Sequence, residues 1–241
     1  FKTLNTDNFS INTPSIIRPQ RHFKTIVYTP NSGALTVTGL EFQPDFLWFK
    51  SRNQAYHHYM FDSIRGTGAK SLRPSDTTPE PAGGDATEIN AFLPNGFSMA
   101  GSSGINDNGS GTNGAVAWCW KAGGTAVTNN DGNNTSQVSA NTEAGFSILT
   151  YTGNGTNNSN VTMGHGLGKT PAWVIIKNRS SSSEWVTWVR GIGGSADNNQ
   201  KNLSLNTTNT AGQNSDQFRY ADATTIQVRS TDSTNGKVNK N

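Results

Sequence analysis

A pattern of apolar positions typical of a buried β-strand occurs twice along the chain, at residues 44–52 and 171–179. Each copy begins with a proline, continues with an apolar run rich in aromatic or β-branched residues, and ends in Lys-x-Arg. Apolar runs of this length, closed by polar residues, are typical of strands buried on both faces. We therefore predict two equivalent central strands. The predicted core of the repeat consists of Phe46, Trp48, Phe49, Trp118, Trp120, Trp173, Ile175 and Ile176.

The duplication extends into the flanking segments. Residues 23–29 match residues 146–152, and Arg65-Gly66 matches Arg190-Gly191. The period of about 125 residues is the size of a domain and is far longer than a solenoid repeat. The predicted organisation is an extended leader over 1–22, a first β-sandwich domain over 23–122, a polar linker over 123–144 and a second β-sandwich domain over 145–241.

The two copies differ at their ends. Residues 112–116 align with residues 234–238, but the first copy continues into Trp118-Cys119-Trp120 and the second into Asn239-Lys240-Asn241. The closing strand of the second copy is therefore predicted to be missing, which leaves an open sheet edge beside 172–177. Exposed edges recruit strands from other chains. We expect a homo-oligomer in which a neighbouring chain covers this edge, the alternative being that the chain continues beyond the given residues.

The composition favours an all-β protein with long polar loops. Hydrophobic residues make up 32% of the chain and charged residues 15%, and Gly, Asn, Ser and Thr, which favour turns over helices, are abundant. The 9% of aromatic residues can supply a core. The net charge of +3 comes from scattered Lys and Arg, which argues against a nucleic-acid partner. No apolar stretch approaches the ~18 residues of a membrane helix, so no membrane insertion is predicted.

The residues that could carry catalysis or bind a cofactor form no recognisable constellation. Cys119 lies between two tryptophans and is predicted to be a buried small hydrophobe. Residues 164–170 look like a phosphate loop, but Met163 stands where that pattern requires glycine, and a strand is predicted to follow instead of a helix. The adjacent His57 and His58 would point to opposite faces of a strand and would not chelate one ion. We predict no cofactor and no metal.

Paired carboxylates could hydrolyse glycans, but no acidic residue recurs at an aligned position in the two copies. We interpret the acidic residues as solvated loop charges; they include Glu41, Asp45, Asp62, Asp76, Glu80, Asp85, Glu88, Glu143 and Glu184. The recurring Arg-Gly pair is predicted to be structural, with the glycine in a turn that needs positive φ and the arginine bound to a nearby carboxylate or carbonyl. We therefore predict that the chain is not an enzyme.

The segment Tyr56-His57-His58-Tyr59 is the candidate for contact with a glycan receptor. Aromatic side chains offer apolar faces and polar tips, which suit binding to sugars. The alternative interpretation is that half of these residues pack inward as strand residues.

The order of the motifs resembles that of a phage domain. The motifs Tyr28-Thr29, 37–40, 44–50, 61–66, 95–97 and 116–121, taken together, resemble a domain of uncharacterised function. That domain occurs in tail-fibre and other virion proteins of tailed phages, notably marine and cyanobacterial ones. The resemblance is close over residues 23–122 and looser over residues 145–230. It implies a β-sandwich of jelly-roll character and a place in the virion, and it supplies no catalytic residues.

On this basis we expect a virion structural protein, a component of a tail fibre or similar appendage that could contact a host-surface polysaccharide. The expected partners are other copies of the chain, as a trimer in keeping with the fibre resemblance, and other virion proteins. The alternative is a capsid-bound fibre or decoration protein. A polysaccharide-degrading tailspike is a less favoured third reading, because such an enzyme would carry clustered acids in a groove.

Overall fold

The computed structural model describes residues 16–80, 88–101, 104–109, 111, 113–154, 160–191, 201–213 and 218–229. Within these residues the regular structure consists of β-strands, all paired antiparallel, and two short 3-10 helices at Pro19–Arg21 and Gly104–Asn106. The prediction of an all-β, sandwich-type fold is thereby confirmed.

The first half of the chain folds into a sandwich of two sheets. One sheet contains, in spatial order, β1 (Phe23–Tyr28), β7 (Ala115–Trp120), β3 (Phe46–Ser51) and β4 (Tyr59–Asp62). The facing sheet contains β2 (Leu35–Thr38), β6 (Gly96–Ala100) and β5 (Glu88–Leu93). The chain passes from one sheet to the other several times before β7 enters between β1 and β3. The last strand therefore pairs with the first, as in jelly-roll folds.

The core of this sandwich lies between the inward faces of the two sheets. Leu47 and Phe49 of β3 and Ala117 and Cys119 of β7 are completely buried, together with Phe97 of the facing sheet. Their spacing follows from the strand, in which side chains alternate between the two faces with a period of two.

Four aromatic residues predicted to form this core lie on the opposite face. Phe46, Trp48, Trp118 and Trp120 are on the outer face of the β1-β7-β3-β4 sheet and are half-buried. The prediction assumed equal burial of both faces of the strand at 46–50. The inner face is sealed by the β2-β6-β5 sheet, whereas the outer face is covered only in part by the second half of the chain.

The second half repeats the same order of strands. Its three-stranded sheet contains β11 (Asn160–Gly164), β17 (Thr225–Arg229) and β16 (Phe218–Ala221), in the order found for β2, β6 and β5. The counterparts of β1, β3 and β4 are β10 (Phe146–Tyr151), β12 (Trp173–Ile176) and β13 (Val186–Val189). Beyond β13 the sheet continues into β14 (Lys201–Ser204) and β15 (Gly212–Gln213).

The core of the second half includes Val161, Met163, Trp188, Phe218 and Val228. Of the residues predicted for this core, Ile176 belongs to it. Ile175 is half-buried and faces the first half. Trp173 is 53% exposed, so its assignment to the core was wrong. It occupies the outward position equivalent to Phe46, and nothing among the described residues buries it there.

The segment predicted to be a polar linker, 123–144, instead contains strands. β8 (Val127–Asn129) and β9 (Ser136–Asn141) extend the sheet of β10, and β9 pairs with β10 along its full length. Ser136 and Ser139 of β9 are buried, and their hydroxyls donate hydrogen bonds to the carbonyls of Gly164 and Gly124, so this strand packs with few apolar residues. Low apolar content was therefore a misleading sign of a linker.

Strands also form beside stretches rich in Gly and Pro, as β5 does after residues 66–84. The segment 70–72 contributes only an isolated bridge between Met60 and Leu72. Of the predicted leader, residues 1–15 lie outside the described residues, and Ile17 is 83% exposed.

The two sandwiches contact each other through outer faces. A buried cluster joins them, formed by Met60, Leu72 and Trp185 with Phe46, Trp48, Ile175 and Leu205 packed around it. Trp185 Nε1 donates a hydrogen bond to the carbonyl of Arg73 at 2.8 Å. The Ser183 N–H donates to the carbonyl of Thr77 at 3.0 Å. The loop after β4 therefore fastens the second sandwich to the first.

Candidate functional site

A cavity of about 530 Å³ lies where the two sandwiches meet. One wall is formed by residues 148–153, which are the end of β10 and the residues after it. A second is formed by Ile175, Lys177 and neighbouring residues at the end of β12. The first sandwich supplies the remaining walls, with apolar side chains such as Phe46 and Met60 beside a group of charged residues.

The charged wall is organised around Glu80, whose side chain is only 5% exposed. Arg179 donates a short hydrogen bond to its Oε2, and Arg65 Nη1 lies 3.6 Å from the same oxygen. Oε1 has no hydrogen-bond donor among the described residues, and the Lys70 ammonium lies 3.7 Å from it. Burial opposes ionisation of Glu80, but the hydrogen bond from Arg179 and the charges of Arg65, Arg179 and Lys70 outweigh it, so the pKa of Glu80 is lowered.

Arg65 connects this group to β4. Its guanidinium forms a close ion pair with Asp62, and Arg65 also donates hydrogen bonds to the carbonyls of Met60 and Lys70. The glycine after it, Gly66, has φ of +90°, in the region that favours glycine. In the second half, Gly191 has φ of +85°, and Arg190 donates to the carbonyls of Thr170 and Pro171. The structural reading of the repeated Arg-Gly pair is confirmed.

The repeated lysines also have equivalent contacts. Lys50 Nζ donates to the carbonyls of Ser51 and Gln54, each at 2.9 Å. Lys177 Nζ donates in the same way to the carbonyl of the following Asn178 at 3.0 Å, and to those of Ser183 and Thr77. Burial lowers the pKa of Lys177 to about 8, against the opposing charge of Asp76. Both lysines hold a loop that follows the central strand of their repeat.

Asp62 and Glu80 both line the cavity, so they are the carboxylates to consider for glycoside chemistry. Such chemistry requires one carboxyl group that is protonated near neutral pH and can donate its proton. Arg65 contacts both carboxylates, and the pKa of Glu80 is lowered. The lowered pKa makes Glu80 a poor general acid, and the contacts of Glu80 with Arg65 and Arg179 are those of a buried ion pair.

Asp45 is a third buried carboxylate, at the start of β3. Its Oδ2 accepts hydrogen bonds from the N–H groups of Ala122, at 2.8 Å, and Gly124, at 3.3 Å, while Oδ1 accepts from the Ser63 hydroxyl at 3.0 Å. Asp45 thereby fixes the path of the chain as it leaves β7 for the second sandwich. The interpretation of the acidic residues as solvated loop charges was wrong for Asp45, Asp62 and Glu80, all of which have buried carboxylates.

The residues predicted to form a glycan platform do not lie on one surface. Tyr59 is buried in the core, and Arg73 lies over its ring at 5.8 Å from the centroid. The half-buried Tyr56 donates a short hydrogen bond to Asp107, and this bond is the main reason that the pKa of Tyr56 is raised. The structure therefore favours the inward-packing alternative for Tyr59.

The two histidines of this segment have separate environments. His57 is exposed, with its Nδ1 2.8 Å from the Ser75 hydroxyl. His58 Nδ1 accepts a hydrogen bond from Trp48 Nε1 at 2.9 Å, and burial, followed by the charge of Lys50, lowers the pKa of His58. Within the described residues no group of three or more His, Cys, Asp or Glu side chains could hold a metal ion.

The remaining motifs that could carry chemistry are the glycine-rich segment 164–170 and Cys119, and both have a structural place in the fold. Residues 164–170 start at the last residue of β11 and continue into the loop before β12, and a strand follows them, as predicted. His165 in this loop is buried, and its Nδ1 accepts a hydrogen bond from the Leu167 N–H at 3.2 Å. Cys119 is completely buried, and this burial raises its thiol pKa to about 12. The prediction that Cys119 is a core residue is confirmed.

Sequence reasoning missed the site at the cavity because its parts are far apart in the chain. Glu80 follows a Pro-rich loop and Arg179 lies about a hundred residues later, so no local pattern links them. One signal was available for Asp45: the buried-strand motif begins Pro-Asp in the first copy and Pro-Ala in the second. A carboxylate beside a strand buried on both faces must be paired or hydrogen-bonded.

Comparison with known proteins identifies the family of the chain but assigns it no activity. No curated protein matches the chain, and no solved structure matches it. No helix among the described residues is long and apolar enough to cross a membrane. One family model matches residues 18–241, which include both sandwiches, so the family unit is the duplicated structure and not a single repeat. The chain belongs to the family DUF7483, which is described as a domain of unknown function.

Proposed function

We propose that this chain is a non-catalytic structural component of a tailed-phage particle, part of a tail fibre or similar appendage, that assembles with neighbouring chains. The observation that carries the proposal is the pair of facing strand edges in the second half. Among the described residues, β10 pairs only with β9 and β12 only with β13. Unpaired edges are normally covered in native proteins, and coverage by another chain is a common means of assembly.

The contacts between the sandwiches support a structural role. Apolar side chains from both halves are buried together, and ion pairs and backbone hydrogen bonds surround them. An interface of this kind holds two repeats in a fixed relation, which suits a load-transmitting appendage. The placement in a phage particle rests on the sequence resemblance to virion proteins. A capsid-bound fibre or decoration protein is the alternative location.

The test is to locate the chain in purified particles of the phage that encodes it. Mass spectrometry of the particles should detect the chain, and electron microscopy with a gold-labelled antibody should place it on the tail appendages. Labelling of the capsid would support the alternative location. Absence of the chain from purified particles would overturn the proposal.

Attachment to host polysaccharide is the second part of the proposed role. Purified protein should bind host cells and release no reducing ends from their surface polysaccharide. Because the geometry disperses Tyr56, His57 and Tyr59, alanine at His57 alone should leave cell binding unchanged. Release of reducing ends would replace the structural proposal with that of a tailspike enzyme.

A further inference from the structure

A dense set of polar contacts joins residues 73–80 of the first sandwich, which we call the clasp, to residues 177–185 of the second. The Glu80 N–H donates a hydrogen bond to the carbonyl of Arg179 at 3.0 Å. The hydroxyl and the carbonyl of Thr77 accept further hydrogen bonds from side chains of the second sandwich. The clasp is therefore held to the second sandwich through its backbone as well as through its side chains.

The apolar part of this interface is small. Among the described residues its buried members are Met60, Leu72 and Trp185, whereas each sandwich has a larger buried core of its own. The hydrophobic contribution to stability grows with the apolar area removed from water, so separation of the two sandwiches costs less free energy than unfolding of either one. Contacts between domains of one chain accordingly open more readily than the domain cores unfold.

Glu80 carries the negative charge on which the clasp depends. Its carboxylate binds Arg179 of the second sandwich, while Arg65 and Lys70 of its own sandwich lie 3.6 Å and 3.7 Å away. Loss of this charge would leave the three cations without their shared anion, and removal of one partner from a buried ion pair is strongly destabilising. The Arg179 side chain is 43% exposed, so water solvates it readily once the sandwiches separate.

The other described ionisable groups around this network belong mostly to the first sandwich; they are His57, Asp62, Arg73 and Asp76, with Lys177 from the second. Asp62 pairs with Arg65 of its own sandwich, and Asp76 lies 3.5 Å from Arg73 of its own sandwich. Separation of the sandwiches leaves both of these pairs intact. Of the two clasp carboxylates, Glu80 is therefore the one whose hydrogen-bonded cation is lost on separation.

We propose that the clasp is an acid-released contact: protonation of Glu80 separates the two sandwiches from each other while each keeps its own fold. The separated sandwiches stay joined by the chain after β7, where Asp45 accepts hydrogen bonds from the N–H groups of Ala122 and Gly124. The proposal concerns a movement within one chain and does not depend on the virion role.

The direction of the pH effect agrees with the pKa of Glu80. In the closed arrangement burial opposes ionisation, but the hydrogen bond from Arg179 and the charges of Arg65, Arg179 and Lys70 outweigh it, so this pKa is lowered. Separation removes Arg179 and returns the pKa of Glu80 toward its ordinary value. The contribution of Glu80 to closure is therefore complete above that ordinary pKa and is lost as the pH falls through the lowered one.

Residue-resolved hydrogen exchange of the 241-residue chain distinguishes release of the clasp from unfolding. The Ser183 N–H and the Trp185 indole N–H donate to clasp carbonyls and report on the clasp. Amides of the β3–β7 and β11–β17 ladders report on the two sandwiches. Between about pH 7 and about pH 3, the protection factors of the two clasp reporters should fall about tenfold or more, while those of the ladders change much less.

Matched variants assign the effect to Glu80. Glu80→Gln removes the charge at every pH with little change in shape, so the clasp reporters should exchange about tenfold faster or more at neutral pH and lose their selective response to acid. Arg179→Ala removes the cation from the other side and should also speed their exchange at neutral pH. Glu41→Gln is the control, because Glu41 is exposed and pairs with Arg21 at 3.7 Å, and its reporters should behave like those of the unmodified chain.

Two results would overturn the proposal. One is unchanged protection of the Ser183 and Trp185 reporters in both Glu80→Gln and Arg179→Ala. The other is loss of their protection in acid only together with loss in the two ladders, which would mean that the sandwiches separate only by unfolding. Circular dichroism checks that each variant is folded, and if Glu80→Gln is not, Arg179→Ala and the acid titration of the unmodified chain decide.

Discussion

The indole ring of Trp120 and the phenyl ring of Phe146 stack across the boundary between the two sandwiches, with centroids 6.0 Å apart and planes 18° from parallel. Phe23, the counterpart of Phe146 in the first repeat, packs on the same indole with centroids 4.8 Å apart. Trp120 thus contacts the equivalent residue of both repeats. Aromatic contacts of this kind add to the free energy gained from buried area.

Trp120→Ala should lower the free energy of unfolding by about 2–4 kcal/mol, toward the low end of large-to-alanine substitutions because the side chain is half-buried. Urea denaturation followed by tryptophan fluorescence and circular dichroism measures the change. Trp173→Ala is the control, since this exposed tryptophan is on the equivalent face of the second repeat, and it should stay within about 0.5 kcal/mol of the unmodified chain. Equal losses in the two variants would contradict the assigned packing of Trp120.

Arg65→Ala should be strongly destabilising, by about 3–5 kcal/mol, because it leaves the buried carboxylates of Asp62 and Glu80 without their shared cation. Thermal denaturation and urea titration at neutral pH test this. The repeat supplies a matched control in Arg190→Ala. Among the described residues the exposed Arg190 guanidinium donates to the carbonyls of Thr170 and Pro171, so a change within about 0.5 kcal/mol is expected. A larger effect at Arg190 than at Arg65 would refute the buried network.

Asp45→Asn should lower the free energy of unfolding by about 1.5–3 kcal/mol, since a buried carboxylate that accepts three hydrogen bonds is replaced by a neutral amide with one acceptor oxygen. Glu41→Gln is the control, because Glu41 is exposed and its ion pair with Arg21 spans 3.7 Å. Hydrogen exchange of the amides at 122–124 provides a local readout. Unchanged exchange there in Asp45→Asn would count against the anchoring role of Asp45.

Cys119 should not react with a thiol reagent such as DTNB in the folded protein and should react fully in denaturant, because it is completely buried. Burial raises the thiol pKa from 9.0 to about 12. Because the pKa of Cys119 is higher in the folded than in the unfolded chain, ionisation of the thiol favours unfolding. The free energy of unfolding is therefore undiminished by this thiol below about pH 9 and falls as the pH rises toward 12. Cys119→Ala should therefore lose less stability over this pH range than the unmodified chain. If the free energy of unfolding depends on pH identically in the two proteins, the raised pKa of Cys119 is contradicted.

The sequence by itself determined the strand content, the duplication and the equivalence of its parts. Period-two alternation and β-branched or aromatic residues depend only on local geometry, so β3, β12 and the buried position of Cys119 could be predicted. The repeated Arg-Gly pair likewise indicated a turn, because only the backbone freedom of glycine suits positive φ. The missing closing strand predicted from the altered end of the second copy stays a prediction, because residues 230–241 lie outside the described part of the chain.

Only the tertiary structure decided which face of each strand is sealed and which distant residues meet. The outward tryptophans are half-buried because a second sandwich covers one side of their sheet, and Trp173 is exposed because nothing described covers it. Glu80 contacts Arg65 and Arg179 because the loop that carries Glu80 packs on the second repeat. Burial of the Glu80 carboxylate then holds these ion pairs in place. Such contacts depend on long-range packing, for which a local sequence pattern carries no signal, whereas strands arise from local alternation that the sequence displays directly.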